Sequence, residues 1–298
     1  MAPSAAFARL KPHEVRCYDT RPSTPDELLS RLRDAEVVIN IRSTTHFSDD
    51  VLSRCPKLKL ISIWGTGTDN VDLDAAKRLR IAVTNTPGVA AIAVAEHTLS
   101  LILAVAKHTV QVDRQVREGK WPRAMVTRLY GKTLGLIGTG AIGREVARLG
   151  KGIGMQVIAW TFHPRGDISE WVTIEDVLRR SDVVSVHVRQ SPDTTGMIGR
   201  EHFEMMKPSA FIINTARGAI IREGELLDAL RSGRIAGAGL DVFEKEPLPP
   251  NSPFFDLPNV VLTPHAAGVT PETTEAGLEL AIENVFAWLR GKAKNQVV

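Results

Sequence analysis

The chain is short of several things, and each shortage removes a class of protein. It has two cysteines in 298 residues, Cys17 and Cys55. They stand far apart and match no CxxC or metal-ligand spacing. They therefore read as isolated thiols of a reducing compartment, and neither a disulfide scaffold nor a metal site is expected. No run of Lys or Arg forms a polybasic patch, so a nucleic-acid partner is not expected. No apolar stretch approaches the ~20 residues of a membrane span. Met1-Ala2-Pro3-Ser4 does not begin a charged-then-apolar signal. A soluble, cytoplasmic protein with no membrane partner is the expectation. Aromatics are sparse at 5%, and no internal repeat or low-complexity tract interrupts the chain.

What is present fits two compact domains. Hydrophobic residues make up 43% and charged residues 24%, close to globular averages. The net charge of +3, from 37 Lys and Arg against 34 Asp and Glu, is a slight bias that can attract anions. Short apolar runs alternate with helical patterns. Val37–Ile41, Leu58–Ile63 and Ile81–Thr84 read as strands, with helices between them over Asp26–Asp34 and Leu73–Leu79. Thr86-Pro87-Gly88 ends this series, and a long helix is expected over Ala91–Glu118. A second series then supplies six strands: Thr133–Ile137, Gln156–Trp160, Val183–His187, Ala210–Asn214, Gly237–Val242 and Val260–Leu262. Their nearly continuous apolar character is that of parallel strands buried on both faces. Six such strands with helices between them predict the doubly wound dinucleotide fold. Pro271–Leu289 reads as an amphipathic helix. The expected division is residues 1–86, completed by 270–298, as one domain, with 87–269 inserted as the dinucleotide-binding domain. Periodicity alone does not require the last helix to return to the first domain.

Gly138-Thr139-Gly140-Ala141-Ile142-Gly143 follows a buried strand and opens a helix, read as starting by Arg144. Gly138 permits a tight turn, Gly140 lets backbone approach a pyrophosphate, and Gly143 lets helix pack closely on strand. The helix N-terminus then faces the phosphates. The next strand should end in an acid that grips the ribose hydroxyls. Here Thr161 stands after Trp160, followed by Phe162-His163-Pro164-Arg165. Without the carboxylate nothing repels a 2′-phosphate, and His163 and Arg165 can attract one. They can equally be solvated loop residues of an NAD protein. The choice between NAD and NADP stays open.

Three further segments lie at strand ends, where ligands bind in this architecture. They are Asn214-Thr215-Ala216-Arg217-Gly218, Gly239-Leu240-Asp241-Val242-Phe243-Glu244-Lys245-Glu246-Pro247 and Thr263-Pro264-His265-Ala266-Ala267-Gly268. They place one Arg, one Glu and one His beside the expected cofactor. With Gly65-Thr66-Gly67-Thr68-Asp69-Asn70-Val71-Asp72 and Val94-Ala95-Glu96-His97, they make the chain resemble, over nearly its whole length, the D-isomer-specific 2-hydroxyacid dehydrogenases. That family includes phosphoglycerate, D-lactate, glyoxylate and hydroxypyruvate enzymes. The resemblance implies an α/β protein of two doubly wound parallel-sheet domains, a Rossmann domain inserted into a flavodoxin-like substrate domain. It implies a small 2-keto or 2-hydroxy acid as substrate, NAD or NADP as cofactor, and Arg217, Glu246 and His265 as the catalytic residues.

The chemistry suits those types. Negative charge grows on the carbonyl oxygen as it is reduced, and a protonated His265 can donate to it. Glu246 can hydrogen-bond the other ring nitrogen and favour the imidazolium. Arg217 can present its planar fork to the substrate carboxylate or carbonyl. By resemblance, Gly65, Thr66 and Gly67 form a substrate-binding loop whose Thr66 and Gly67 backbone N–H groups bind the carboxylate. Asp241 would accept from the nicotinamide carboxamide, or is simply an acid closing a buried strand. Thr195 would lie near the cofactor phosphates, and Thr215 beside the cofactor. Arg42 resembles a phosphate-side arginine of phosphoglycerate enzymes.

Departures from the family narrow the expectation. Ile63 and Trp64 precede Gly65 where phosphoglycerate enzymes often place another Arg, so an unphosphorylated substrate such as glyoxylate or hydroxypyruvate is favoured. Ala90 replaces a common Asn. Arg189 replaces a common Pro, and either lines the adenosine pocket or faces solvent. The related formate enzymes pair their His with Gln, so Glu246 disfavours formate oxidation. Family members often dimerise through the long helix and the loop after it, so a homodimer through the segment around 91–125 is expected. Trp121 there is an interface anchor or is tucked into its own subunit. The alternative function is a nicotinamide-sensing binding protein like the corepressors that share this fold and can retain the same triad.

Overall fold

The computed structural model describes residues 5–41 and 45–298. Arg42 lies outside the described residues. The chain separates into two compact units, Met1–Ala90 with Val269–Val298, and Ala91–Gly268.

In the first unit helices α1 (Pro25–Leu32), α2 (Asp49–Ser53) and α3 (Leu73–Arg78) alternate with strands β1 (Val37–Ile41), β2 (Leu60–Trp64) and β3 (Ala82–Thr84). The three strands are parallel, in the order β1-β2-β3. Each helix begins on a side-chain cap: the oxygens of Thr24, Ser48 and Asp72 accept N–H groups that the first turn would otherwise leave bare. The C-terminal helix, Pro271–Leu289, starts in the same way on Thr270 with Pro271 behind it. It lies against β2, where the buried Ser62 hydroxyl donates to the Ala281 carbonyl at 2.9 Å. Gly277 permits the contact, because a Cβ there would sit 1.9 Å from Trp64 Nε1.

The second unit begins with α4 (Ala91–Ala106) and α5 (Thr109–Arg117). The single helix expected over Ala91–Glu118 is therefore two. His108 adopts a left-handed conformation at φ 52° between them. α4 packs on the sheet and buries Ala95, Leu101, Ile102 and Val105, whereas α5 buries no residue. The break falls where the buried run gives out.

There follow β4 (Thr133–Ile137), α6 (Ala141–Gly152), β5 (Gln156–Trp160), β6 (Glu170–Trp171), α7 (Ile174–Arg180), β7 (Val183–Val186), α8 (Arg200–Met205), β8 (Phe211–Asn214), α9 (Glu223–Arg231), β9 (Gly237–Leu240) and β10 (Val260–Leu262). The sheet is parallel throughout, in the order β10-β9-β8-β7-β4-β5-β6. Its seventh strand is the short edge strand β6, one more than the six expected. The winding reverses between β4 and β7. In a doubly wound sheet this switch point opens the ligand crevice at the carboxyl ends of the strands. α6 starts at Ala141, a turn before the expected helix.

Candidate active site

The glycine loop sits at the switch point. Gly138 has φ +100°, and a Cβ on it would lie 2.6 Å from the backbone of both His187 and Val188. Only glycine allows β4 to turn so close to the end of β7. A Cβ on Gly143 would lie 2.3 Å from the Gly138 carbonyl, so α6 presses directly on the turn. Gly140 differs: it is exposed, with open space where its Cβ would be. It caps α6 without any side-chain bond, so first-turn N–H groups are left to an incoming acceptor. Ala141 and Ile142 open that turn, and Thr139 is buried beneath it. An open approach at an uncapped twelve-residue helix fits a dinucleotide pyrophosphate. His187 shares a 2.8 Å hydrogen bond with Ser185. Although part of the residue reaches the surface, its ring lies deep enough that desolvation drives its pKa down to about 3. The ring next to the switch point is therefore neutral.

At the end of β5, Thr161 is half-buried, and His163 and Arg165 are exposed. Thr161, Phe162 and Pro164 line an open cleft of about 880 Å³ with Trp171 and Glu175. Arg144, in the second turn of α6, donates from Nη2 to the Arg165 carbonyl at 2.5 Å. No role for it was expected, although it directly follows the last fingerprint glycine. Thr195 is exposed, and its hydroxyl donates to the Ser191 carbonyl at 2.9 Å, closing a turn after β7. Thr215 is buried, 2.9 Å from the Thr98 hydroxyl. Thr98 gives its proton to the Val94 carbonyl, so Thr215 donates to Thr98.

His265 and Glu246 come together. Nδ1 of the imidazole lies 2.7 Å from Oε2 of the carboxylate, with the side chains 34% and 27% exposed. Oε1 accepts from the Phe243 N–H at 3.1 Å. Burial works to raise the Glu246 carboxyl. The bond from His265, its charge, the Phe243 N–H and Arg217 together outweigh burial and hold it below the ordinary glutamate value. An ionised carboxylate only accepts, so Nδ1 carries the proton toward it and Nε2 is the nitrogen turned to other business. The peptide bond after Glu246 is cis.

Arg217 is brought near this pair by a clamp and a close contact. The Asn214 side chain, buried at the end of β8, donates to the Arg217 carbonyl at 2.9 Å and accepts from the Ala216 N–H at 3.0 Å. This closes the turn that Asn favours at a strand end. Gly218 then lies flat on the Glu246 loop. A Cβ there would be 1.9 Å from the Phe243 carbonyl carbon and 2.4 Å from the Glu244 nitrogen. The motif contained Gly218, but its neighbour 25 residues along was not legible from spacing.

His265 itself is held at φ 52°, a left-handed conformation that costs a non-glycine residue roughly 1–3 kcal/mol unless its surroundings impose it. Asp241 imposes it. The His265 N–H donates to the Asp241 carbonyl at 2.7 Å. Asp241 Oδ1 accepts from the Thr263 hydroxyl at 2.6 Å and the Ala266 N–H at 2.9 Å, and Oδ2 from the Ala267 N–H at 3.0 Å. Asp241 is 1% exposed. Burial works to raise its carboxyl, but His97, Thr263, Ala266 and Ala267 bring it below the usual aspartate value. Because Thr263 spends its proton on Asp241, its oxygen accepts from Nε2 of His97 at 3.0 Å. His97 belonged to a motif that carried the family resemblance, with no role attached.

In the first unit Gly65 turns at φ 151° after β2. Its N–H donates to the Thr86 hydroxyl at 2.8 Å, and the Thr66 carbonyl accepts from Asn85 at 2.8 Å. The Thr66 and Gly67 N–H groups donate to nothing among the described residues.

Comparison with known proteins gives this arrangement a lineage. Residues 99–267 match the family model described as D-isomer specific 2-hydroxyacid dehydrogenase, NAD binding domain. A glyoxylate reductase of Aeropyrum pernix is 41% identical, over 99% of this chain and 92% of its own. The solved structure of an acyclic imino acid reductase (Bsp5) in complex with NADPH and D-Arg superposes with a TM-score of 0.91 at 30% identity, covering 100% of this chain and 97% of that one. A D-lactate dehydrogenase from Aquifex aeolicus, complexed with NAD and lactic acid, does so at 0.88 and 31%, covering 97% and 93%. The chain belongs to the D-isomer specific 2-hydroxyacid dehydrogenase family and is a nicotinamide-dependent oxidoreductase of that family.

Proposed function

We propose that the chain interconverts a small unphosphorylated 2-keto acid, glyoxylate or hydroxypyruvate, with its 2-hydroxy acid, and that His265, Glu246 and Arg217 carry the reaction. The observation that carries this is the 2.7 Å His265–Glu246 pair with Arg217 beside it, at the carboxyl ends of β8, β9 and β10. The glyoxylate reductase relative supports the substrate class.

The bound nicotinamide would supply or take up a hydride at the substrate C2; Gly138 to Gly143 and the start of α6 would hold its pyrophosphate. During reduction His265 gives a proton from Nε2 to the carbonyl oxygen, because Nδ1 is committed to Glu246. Glu246, kept ionised, stabilises the imidazolium before transfer. Arg217 faces the substrate carboxylate or carbonyl with a planar fork of donors. Asp241 acts as a positioning residue that fixes the His265 loop. The test is a panel of 2-keto acids, followed by loss of NADH or NADPH absorbance. Glyoxylate or hydroxypyruvate should show the highest kcat/KM. Turnover of none of them, or preference for a phosphorylated keto acid, would overturn the proposal.

We further propose a homodimer through the segment around 91–125. α5 is nine residues long and buries none of them, and so short a helix is marginal in water without tertiary support. Trp121, 80% exposed, and Met125, 94% exposed, follow it in the same segment as large apolar side chains left uncovered.

A further inference from the structure

We infer that the chain binds the 2′-phosphorylated dinucleotide, NADP(H), in preference to NAD(H), and that Arg144, His163 and Arg165 form the phosphate cradle. The inference rests on the dinucleotide reading of the glycine loop. That loop is tied to the end of β5, since the Gly138 N–H donates to the Trp160 carbonyl at 2.8 Å. The residues after Trp160 thus stand where a doubly wound fold meets the ribose next to the pyrophosphate.

Three features of that place favour a phosphate. Thr161 supplies no carboxylate to take the ribose hydroxyls or to repel a dianion. Arg144 reaches the loop from α6. Its Nη2 donates to the Arg165 carbonyl, and its Nη1 lies 3.3 Å from where a Cβ on Gly166, at φ +66°, would be. One bond pins the guanidinium and leaves the remaining donors of its fork for an anion. Finally, Arg144, His163 and Arg165 form no ion pair with any carboxylate among the described residues. Of the acids along the cleft, Glu170 and Glu175 are engaged elsewhere, and Asp176 acts on Arg180 through its charge. Glu170 makes a two-point pair with Arg180 at 2.8 and 2.7 Å. Glu175 bonds Thr173 and its own backbone at the start of α7. Asp167 pairs with none of the three side chains. Arg144 from α6 and Arg165 from the loop thus bring two guanidiniums to this place without a carboxylate partner among the described residues, and an anion would supply the countercharge.

The test is calorimetric titration of the full chain with NADPH and NADH, and with adenosine 2′-monophosphate and adenosine 5′-monophosphate as fragments. NADPH should bind roughly 10- to 100-fold tighter than NADH, the range expected of one or two charge-assisted hydrogen bonds, and the 2′-phosphate fragment should outbind the 5′. Arg144→Leu and Arg165→Leu should each weaken NADPH about tenfold and leave NADH unchanged. Should Arg144→Leu disturb the loop and weaken both, Arg165→Leu decides, because its side chain holds no protein partner among the described residues. Equal or tighter NADH binding by the unaltered chain would overturn the inference while leaving the dinucleotide reading standing. Binding of neither dinucleotide would remove both.

Discussion

Gly218→Ala tests the architecture of the site more sharply than removing any reactive group. The added methyl would sit 1.9 Å from the Phe243 carbonyl carbon, 2.2 Å from its oxygen and 2.4 Å from the Glu244 nitrogen. All three are backbone atoms, so no rotamer change relieves the clash. Ordinary contact begins near 3.4 Å, so the two loops must part by about 1.5 Å. Those loops carry Arg217 on one side and Glu246 on the other. Overpacking of this kind costs about 1–3 kcal/mol, or about 2–4 °C in Tm per kcal/mol for a unit of this size. Displacing a reacting group by about 1 Å costs on the order of 100-fold in rate. We therefore expect kcat to fall about 100-fold with a Tm lower by a few degrees. Dinucleotide affinity should hold, because Gly138 to Gly143 lie on a different loop. Gly224→Ala is the control: it lies in α9 with nothing within 4 Å of its Cβ, and should be neutral or stabilising by about 0.5–1 kcal/mol. Steady-state kinetics and thermal melts of both variants decide the matter. If Gly218→Ala kept wild-type kcat and Tm, the close loop contact would not be what aligns the site.

His265→Ala should lower kcat by a factor of about 100 or more with little change in dinucleotide Kd; near-normal turnover would show that another group supplies the proton. Glu246→Gln removes the charge that favours the imidazolium, so the alkaline limb of the pH–rate profile for reduction should move to lower pH, and an unmoved limb would count against the pairing. Asp241→Asn replaces two accepting oxygens with one and sets an NH₂ against the Ala266 or Ala267 N–H, at a cost of about 1–3 kcal/mol in denaturant unfolding. Because the folded pKa of Asp241 lies below its unfolded value of about 3.9, the stability it contributes is fully present above that pH and is lost as pH falls through the lower folded value. The variant should lose that part of the acid dependence, and an identical acid limb would refute it. Trp121→Ser should shift the mass measured by sedimentation toward the monomer, whereas a monomeric wild type would dispose of the dimer.

The regular parts of this fold were legible because parallel strands buried on both faces read as nearly unbroken apolar runs, as β4 and β5 do at their observed limits. The C-terminal helix over Pro271–Leu289 was legible because its apolar spacing and its Thr270-Pro271 start agree. The edge strand β6 was not: two residues carry no period. Nor was the break at His108, where neither glycine nor proline marks the chain. It arises because α4 has a sheet to lie on and α5 does not.

The amino-acid order by itself determined where the glycines, the Arg, the Glu and the His fall relative to strand ends, because local sterics and burial patterns act over a few residues. Only the folded chain decided what each one touches. Gly218 meets Phe243, Arg144 meets the loop at 165, and His97 reaches Thr263 across 166 residues. Such contacts are set by how helices and strands pack, and no spacing along the chain encodes a distance through space.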